Sequence, residues 1–256
     1  MKRWIMIGTG AVAGIIIVLL VVGLSNLGPM IKNAVNTYGP EITKTEVSLG
    51  DVDVSIFSAE AKLKDFYLGN PKGFNSPRAI TVGYIYVDMD EGSLTGDTII
   101  IDRIEVVYPE ITYEKMRGTD NFQTILKNIK KATDTDKPPK DQSGEKGEGK
   151  KILIKNFLIR EGKVSLVMPA LAGKSVTAPL PDIHLKDLGK KKGGASPGEV
   201  FKEVFAALHE KITSPAVTDI LHKGLNALGI GVNKIGKDAK KGLESVTDKV
   251  KGLFGK

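Results

Sequence analysis

The 256-residue sequence contains no cysteine, one tryptophan and three histidines. Without thiols there is no disulfide framework, no thiolate nucleophile, no Cys-ligated zinc or iron–sulfur cluster and no acylated lipoprotein cysteine. The histidines do not group either. His184 has no second histidine nearby and reads as a strand residue, while His209 and His222 fall on separate helical segments, a poor geometry for one metal. No Gly-x-Ser-x-Gly elbow, phosphate loop or kinase-type motif occurs. The acidic group Asp88-Met89-Asp90-Glu91 lacks the ligand spacing of a calcium loop and reads as an exposed turn. The expectation is therefore a protein that is not an enzyme, with no catalytic residues, cofactor or metal.

Charge is unevenly spread. The formal net charge is +7, but residues 25–134 hold 12 Lys and Arg against 16 Asp and Glu, whereas residues 189–256 hold 13 against 7. A basic excess without interleaved aromatics argues against nucleic acid and points to a membrane surface or an acidic partner.

The hydrophobicity is concentrated at the N-terminus. After Lys2 and Arg3 no charge occurs until Lys32, and Ile5–Leu24 is almost wholly apolar. Twenty residues at about 1.5 Å each span a hydrocarbon core of about 30 Å. The rival reading, a signal peptide ending near Gly23-Leu24-Ser25, calls for an apolar stretch of only about 7 to 15 residues. An uncleaved anchor is expected, with the N-terminus cytoplasmic by the positive-inside rule and the bulk of the chain periplasmic. Gly8-Thr9-Gly10-Ala11-Val12-Ala13-Gly14 superficially matches a dinucleotide loop but lies inside this apolar run, where Gly10 and Gly14 suit close helix approach or ordinary helix packing.

The rest divides by periodicity into an anchor with helical extension (1–38), a β domain (39–188) and a helical region (189–256). Leu27–Tyr38 has helical spacing, and Gly39-Pro40 is expected to stop it. Alternating segments follow at 47–56, with a register change at Gly50-Asp51, and at 61–68, 79–89 and 98–108, the pattern of an antiparallel meander. Residues 116–131 turn helical, and 132–150 reads as a flexible linker that interrupts one sheet. Further strands are expected at 151–159 and 163–169, joined by an Arg160-Glu161-Gly162 hairpin turn, and at 174–178 and 182–188. Ser196-Pro197-Gly198-Glu199 is a capped helix start followed by an apolar stripe from Val200 to Leu208. A second helix from Ser214-Pro215 should turn Val217, Ile220, Leu221, Leu225 and Leu228 inward. The tail then places Leu243, Val246, Val250, Leu253 and Phe254 on one side and Lys240, Lys241 and Lys249 on the other. A basic amphipathic helix of this kind lies on an anionic membrane, docks on a partner or packs on its own sheet.

Four segments in order carry a family resemblance: Tyr38-Gly39-Pro40-Glu41-Ile42-Thr43 after the anchor, the turn Asn70-Pro71-Lys72-Gly73-Phe74, Ile104–Ile111 before Asn121-Phe122, and Leu180–Gly189. Together they resemble the AsmA-like envelope proteins of Gram-negative bacteria over roughly residues 1–210. The resemblance implies an α+β protein with an N-terminal transmembrane helix, a strongly twisted antiparallel groove-like sheet and C-terminal amphipathic helices. It also implies lipid binding or transport at the inner membrane within a larger homo- or hetero-oligomeric assembly, with membrane lipids and other envelope proteins as partners. The chain is far too short to bridge the envelope alone. The apolar face built from Val52, Val54, Ile56, Leu63, Ile80, Val82, Ile104 and Val106 is the candidate groove. A structural or adaptor subunit, docking partners through its helices, is the alternative; in that reading the helices after Ser196 cover this face.

Overall fold

A computed structural model describes residues 27–55, 57–94, 96–116, 118–133, 151–190 and 193–230. The apolar run before Leu27, Ile56, most of the expected linker and the basic tail, including Leu243, Val246, Val250, Leu253, Phe254, Lys240, Lys241 and Lys249, lie outside the described residues. Among the described residues no helix is long and apolar enough to cross a membrane.

In chain order the elements are α1 (Leu27–Thr43), β1 (Val47–Ser48), β2 (Asp51–Ser55), β3 (Glu60–Gly69), β4 (Arg78–Met89), β5 (Thr98–Val107), β6 (Glu110–Met116), β7 (Thr119–Asp120), α2 (Asn121–Thr133), β8 (Lys151–Arg160), β9 (Gly162–Val167), β10 (Val176–Leu180), β11 (Ile183–Leu188), α3 (Pro197–Ile212) and α4 (Pro215–Ala227). This is an α+β fold with an open sheet and helices against one face.

The sheet is mixed, which corrects the antiparallel meander. β1 and β2 pair with β3, β3 with β4, and β4 with both β5 and β6, all antiparallel. β5 then lies parallel to β8, and β6 parallel to β9. The physical reason lies in the connection: β6 leads through β7 into α2, and a helical crossover returns the next strand in the same direction. β11 and β10 close the far side antiparallel to β8 and β9. Strands on both sides of residues 134–150 thus share one sheet.

A crease runs across every strand. Gly50 donates its N–H to the Lys64 carbonyl, and on β3 the neighbouring Asp65 has φ 52°. Asp65 faces Gly83, since Lys64 pairs with Tyr84 and Phe66 with Val82. β5 and β6 meet at Tyr108 (φ 55°), β8 and β9 at Glu161 (φ 55°), with the Tyr108 N–H on the Arg160 carbonyl and the Glu161 N–H on Asp182 Oδ1. Arg160-Glu161-Gly162 is therefore a kink within a continuing strand and not the expected hairpin turn: β8 and β9 have different partners and do not pair with each other. At each kink the alternation slips by one residue. The apolar set passes from Leu63 to Phe66, from Val82 to Ile85 and from Val106 to Pro109 while staying on one face, because facing strands each give one residue to the kink and keep their register.

Against that face pack the helices, around a core that includes Leu68, Ile111, Phe122, Ile125, Ile129, Val164, Ile212 and Leu225. Phe122 of α2 and Phe205 of α3 stack at 5.2 Å between ring centroids. α1 does not stop at Gly39-Pro40 but runs to Thr43, because Pro40 removes only one donor near the helix end. Termination comes from Lys44 in the left-handed region (φ 57°). α3 begins with the expected capping box between Ser196 and Glu199. On α4, Val217, Leu221 and Leu225 are buried at fourfold spacing, but Ile220 and Leu228 are exposed, correcting the inward assignment of both. The opposite sheet face is polar, with Lys64 paired to Asp51 and Asp53, Arg103 to Asp88, and Arg160 to Glu105.

Candidate functional site

α3 presents Val200, Phe201, Val204, Phe205 and Leu208 to the sheet, a stripe at helical spacing. Between this stripe and the apolar face lies a cavity of about 270 Å³ whose lining is entirely apolar. Its floor comes from Leu68, Ile80, Ile111 and Ile159, all buried. Towards the other end Leu63, Ile85, Val87, Ile104 and Phe201 are only half-buried, so the cavity is a groove open on the β2–β3 side of the crease. Among the described residues no polar atom of its wall is placed to orient a ligand by hydrogen bonding, so the groove offers shape and desolvation alone.

Five of the eight expected groove residues line it: Leu63, Ile80, Val82, Ile104 and Val106. Val52 is buried elsewhere, with its carbonyl against the start of α1, so close that a Cβ at Gly28 would stand 2.2 Å from that oxygen. Val54 is half-buried on β2 away from the lining, and Ile56 is not described. Sequence alternation missed Phe66, Ile85 and Val87, which reach the groove because β3 and β4 slip phase, and Ile154 and Phe157, which β8 brings alongside β5. The charge and polarity of Asp65 and the small Gly83, in otherwise alternating runs, are the local signals of that slip.

The turn Asn70-Pro71-Lys72-Gly73-Phe74 lies at the opposite end of the sheet. Gly73 has φ +98°, the Phe74 N–H meets the Pro71 carbonyl, and Asn70 Nδ2 donates to the Ser76 carbonyl at 2.8 Å. Asn70 Oδ1 accepts from Asn121 Nδ2, and the buried Glu114 accepts from the backbone N–H groups of Asn75 and Ser76, both at 2.7 Å. This cluster fastens the turn to β6 and α2 and is saturated internally.

Nearby, Asp120 caps α2 by accepting from the Gln123 N–H at 2.7 Å and from the Tyr113 hydroxyl at 3.2 Å. His209 Nε2 of α3 stands 3.6 Å from Asp120 Oδ1, an electrostatic contact too long for a hydrogen bond. Burial works to raise the Asp120 pKa, but the imidazole, the Gln123 amide and the Tyr113 hydroxyl outweigh it and hold the carboxyl below its ordinary range. Burial, helped by the Asp120 charge, pushes the Tyr113 phenol up. Neither group reaches the groove. Asp88 is bonded to Arg103 at 2.8 Å, Asp90 caps the short turn at Glu91–Ser93, and His184 meets Asn156 Oδ1 at 2.9 Å. Among the described residues no three metal-ligating side chains converge.

The fold and groove define the chain as an α+β protein with an open sheet whose apolar face is partly covered by helices. No protein-family model, curated protein or solved structure matches it.

Proposed function

We propose that the chain is a non-enzymatic, membrane-anchored envelope protein that binds an aliphatic chain in the groove between the sheet and α3. The observation that supports this best is the wholly apolar lining of the groove. Such a site costs free energy when wet, whereas it offers a methylene chain dispersion contact along its walls. A volume of about 270 Å³ falls just below the range of small-molecule sites, about 300–1,000 Å³, which suits part of one acyl chain and not a whole diacyl lipid. The resemblance to AsmA-like proteins agrees with this reading in kind, as a short member acting within a larger assembly.

Purification of the full chain in mild detergent followed by lipid mass spectrometry tests it. Acyl lipid should co-purify, and Val204→Trp, which fills the groove from α3, should displace it. A chain that carries no lipid before or after the substitution defeats the reading.

The adaptor alternative is favoured by the exposed Ile220 and Leu228 on α4, a small apolar face of the kind that takes a partner helix. In that case crosslinking in native membranes yields a stoichiometric partner that is lost with Ile220→Lys, and the groove stays empty.

A further inference from the structure

Phenylalanine is among the residues most often buried, yet Phe57, at the tip of the β2–β3 hairpin, is 100% exposed. Single exposed apolar residues are ordinary on protein surfaces, so position has to decide what this one means. α1 runs antiparallel to β1 and β2: Gly28 lies on the Val52 carbonyl and Gly39 on Val47. The chain therefore enters α1 beside Val52, and β2 continues from there only to Ser55, about 10 Å further at about 3.3 Å per residue. The first turn of α1 and the Phe57 tip thus project from the same end of the sheet. Met30, in that first turn, is also largely exposed, at 63%. The half-buried Leu63, Ile85 and Val87 of the groove mouth occupy this same half of the sheet, while the Asn70–Ser76 turn lies at the other end.

We infer that this end of the sheet rests on a lipid bilayer, with the Phe57 side chain dipping into the interface and the groove mouth facing the membrane. The inference rests on the reading of Ile5–Leu24 as a membrane anchor, since that segment leads directly into α1. The chemistry of the contact follows from its surroundings. Glu60, Asp90, Glu91 and Asp97 lie at this end together with Lys151, Lys155 and Lys190, whose loop reaches Thr98 through Gly193, so charges of both signs are mixed there. The contact is an apolar one, made by a ring that sits about 5–10 Å into the headgroup and acyl boundary.

Trp4 is the single tryptophan of the chain, which allows a direct test with the full chain in phosphatidylcholine vesicles containing brominated acyl chains. Quenching of Trp4 in the unaltered chain reports the anchor. In a Trp4→Phe background, Phe57→Trp should be quenched several-fold more strongly than Lys72→Trp at the opposite turn. Bromines near the headgroup should quench it more than bromines near the chain ends. If Trp4 is quenched while positions 57 and 72 are equally unquenched, the interfacial contact is overturned and the anchor stands. If Trp4 and position 57 are both unquenched, both readings fall. Quenching at 57 without quenching at Trp4 sustains the contact and removes the anchor.

Discussion

The side-chain amide of Asn121 donates to Asn70 Oδ1 at 2.7 Å, joining the first residue of α2 to the turn after β3. Asn121 is fully buried, and each side of its amide is used: Nδ2 also donates to the Thr112 carbonyl, while Oδ1 accepts from the N–H groups of Glu114 and Phe122. A buried amide satisfied on both sides is costly to truncate because its partners are left dry and unpaired. Asn121→Ala is expected to lower stability by about 2–4 kcal/mol, and Asn70→Ala by about 1–2 kcal/mol. Urea unfolding of the two single variants and the double variant should show coupling, since the two changes strip a shared bond.

Glu114→Gln removes little volume and is nevertheless expected to cost about 2–3 kcal/mol. The Glu114 oxygens accept from two backbone N–H groups and from Asn75 Nδ2. An amide nitrogen in either place would set donor against donor. Thermal unfolding measures the loss; a Tm equal to that of the parent contradicts the assigned bonds.

Acid should act through Asp120. Its folded-state pKa is depressed, so its contribution is complete above the unfolded-state value of about 3.9 and is lost as pH falls through the lower folded value. Between those limits Asp120→Asn is expected to flatten the fall of stability with decreasing pH, while lowering stability at neutral pH by about 1 kcal/mol through the weakened helix cap. Chemical denaturation at a series of pH values separates the two effects.

At the crease, Glu161 holds a left-handed backbone conformation. Glycine reaches that region without steric penalty, and a β-branched residue is a clear outlier there. Glu161→Gly is expected to be neutral or stabilising by up to about 1 kcal/mol, and Glu161→Val to destabilise by about 1–2 kcal/mol. The reverse order, read from denaturant midpoints, would mean that the kink is set by something other than this residue.

Close packing of α1 gives a last expectation. A methyl group at Gly28 collides with the Val52 carbonyl, which belongs to a strand and cannot turn aside. Gly28→Ala should therefore cost about 1–3 kcal/mol and loosen α1 from β2, seen as faster amide exchange in β2.

Local signals carried most of the elements, and long-range pairing carried what was missed. The capping box at Ser196 and the alternation of β3 and β4 are properties of adjacent residues, and they place the elements correctly. That β5 and β8 run parallel depends on the path of the chain through α2, about which neither strand holds information. The groove was half legible for the same reason. Period-two counting follows Leu63 and Ile80, but it loses Phe66 and Ile85 once Asp65 and Gly83 shift the phase; the cover by α3 was legible only from the helical stripe after Ser196, as one of two alternatives. Pro40 misled because a proline close to a helix end costs one bond and not the helix. Ile220 misled because a three-residue step places it at the margin of a stripe defined by steps of four.

The parallel seam between β5 and β8 has one more consequence. The groove wall is made jointly by two stretches of chain, one ending at Thr133 and the other beginning at Lys151. Neither stretch contains the cavity, since Ile104 and Val106 come from the first and Ile154, Phe157 and the whole α3 stripe from the second. The groove is thus a product of complementation within one molecule: two polypeptides divided between those points would have to find each other along β5 and β8 before the groove could form.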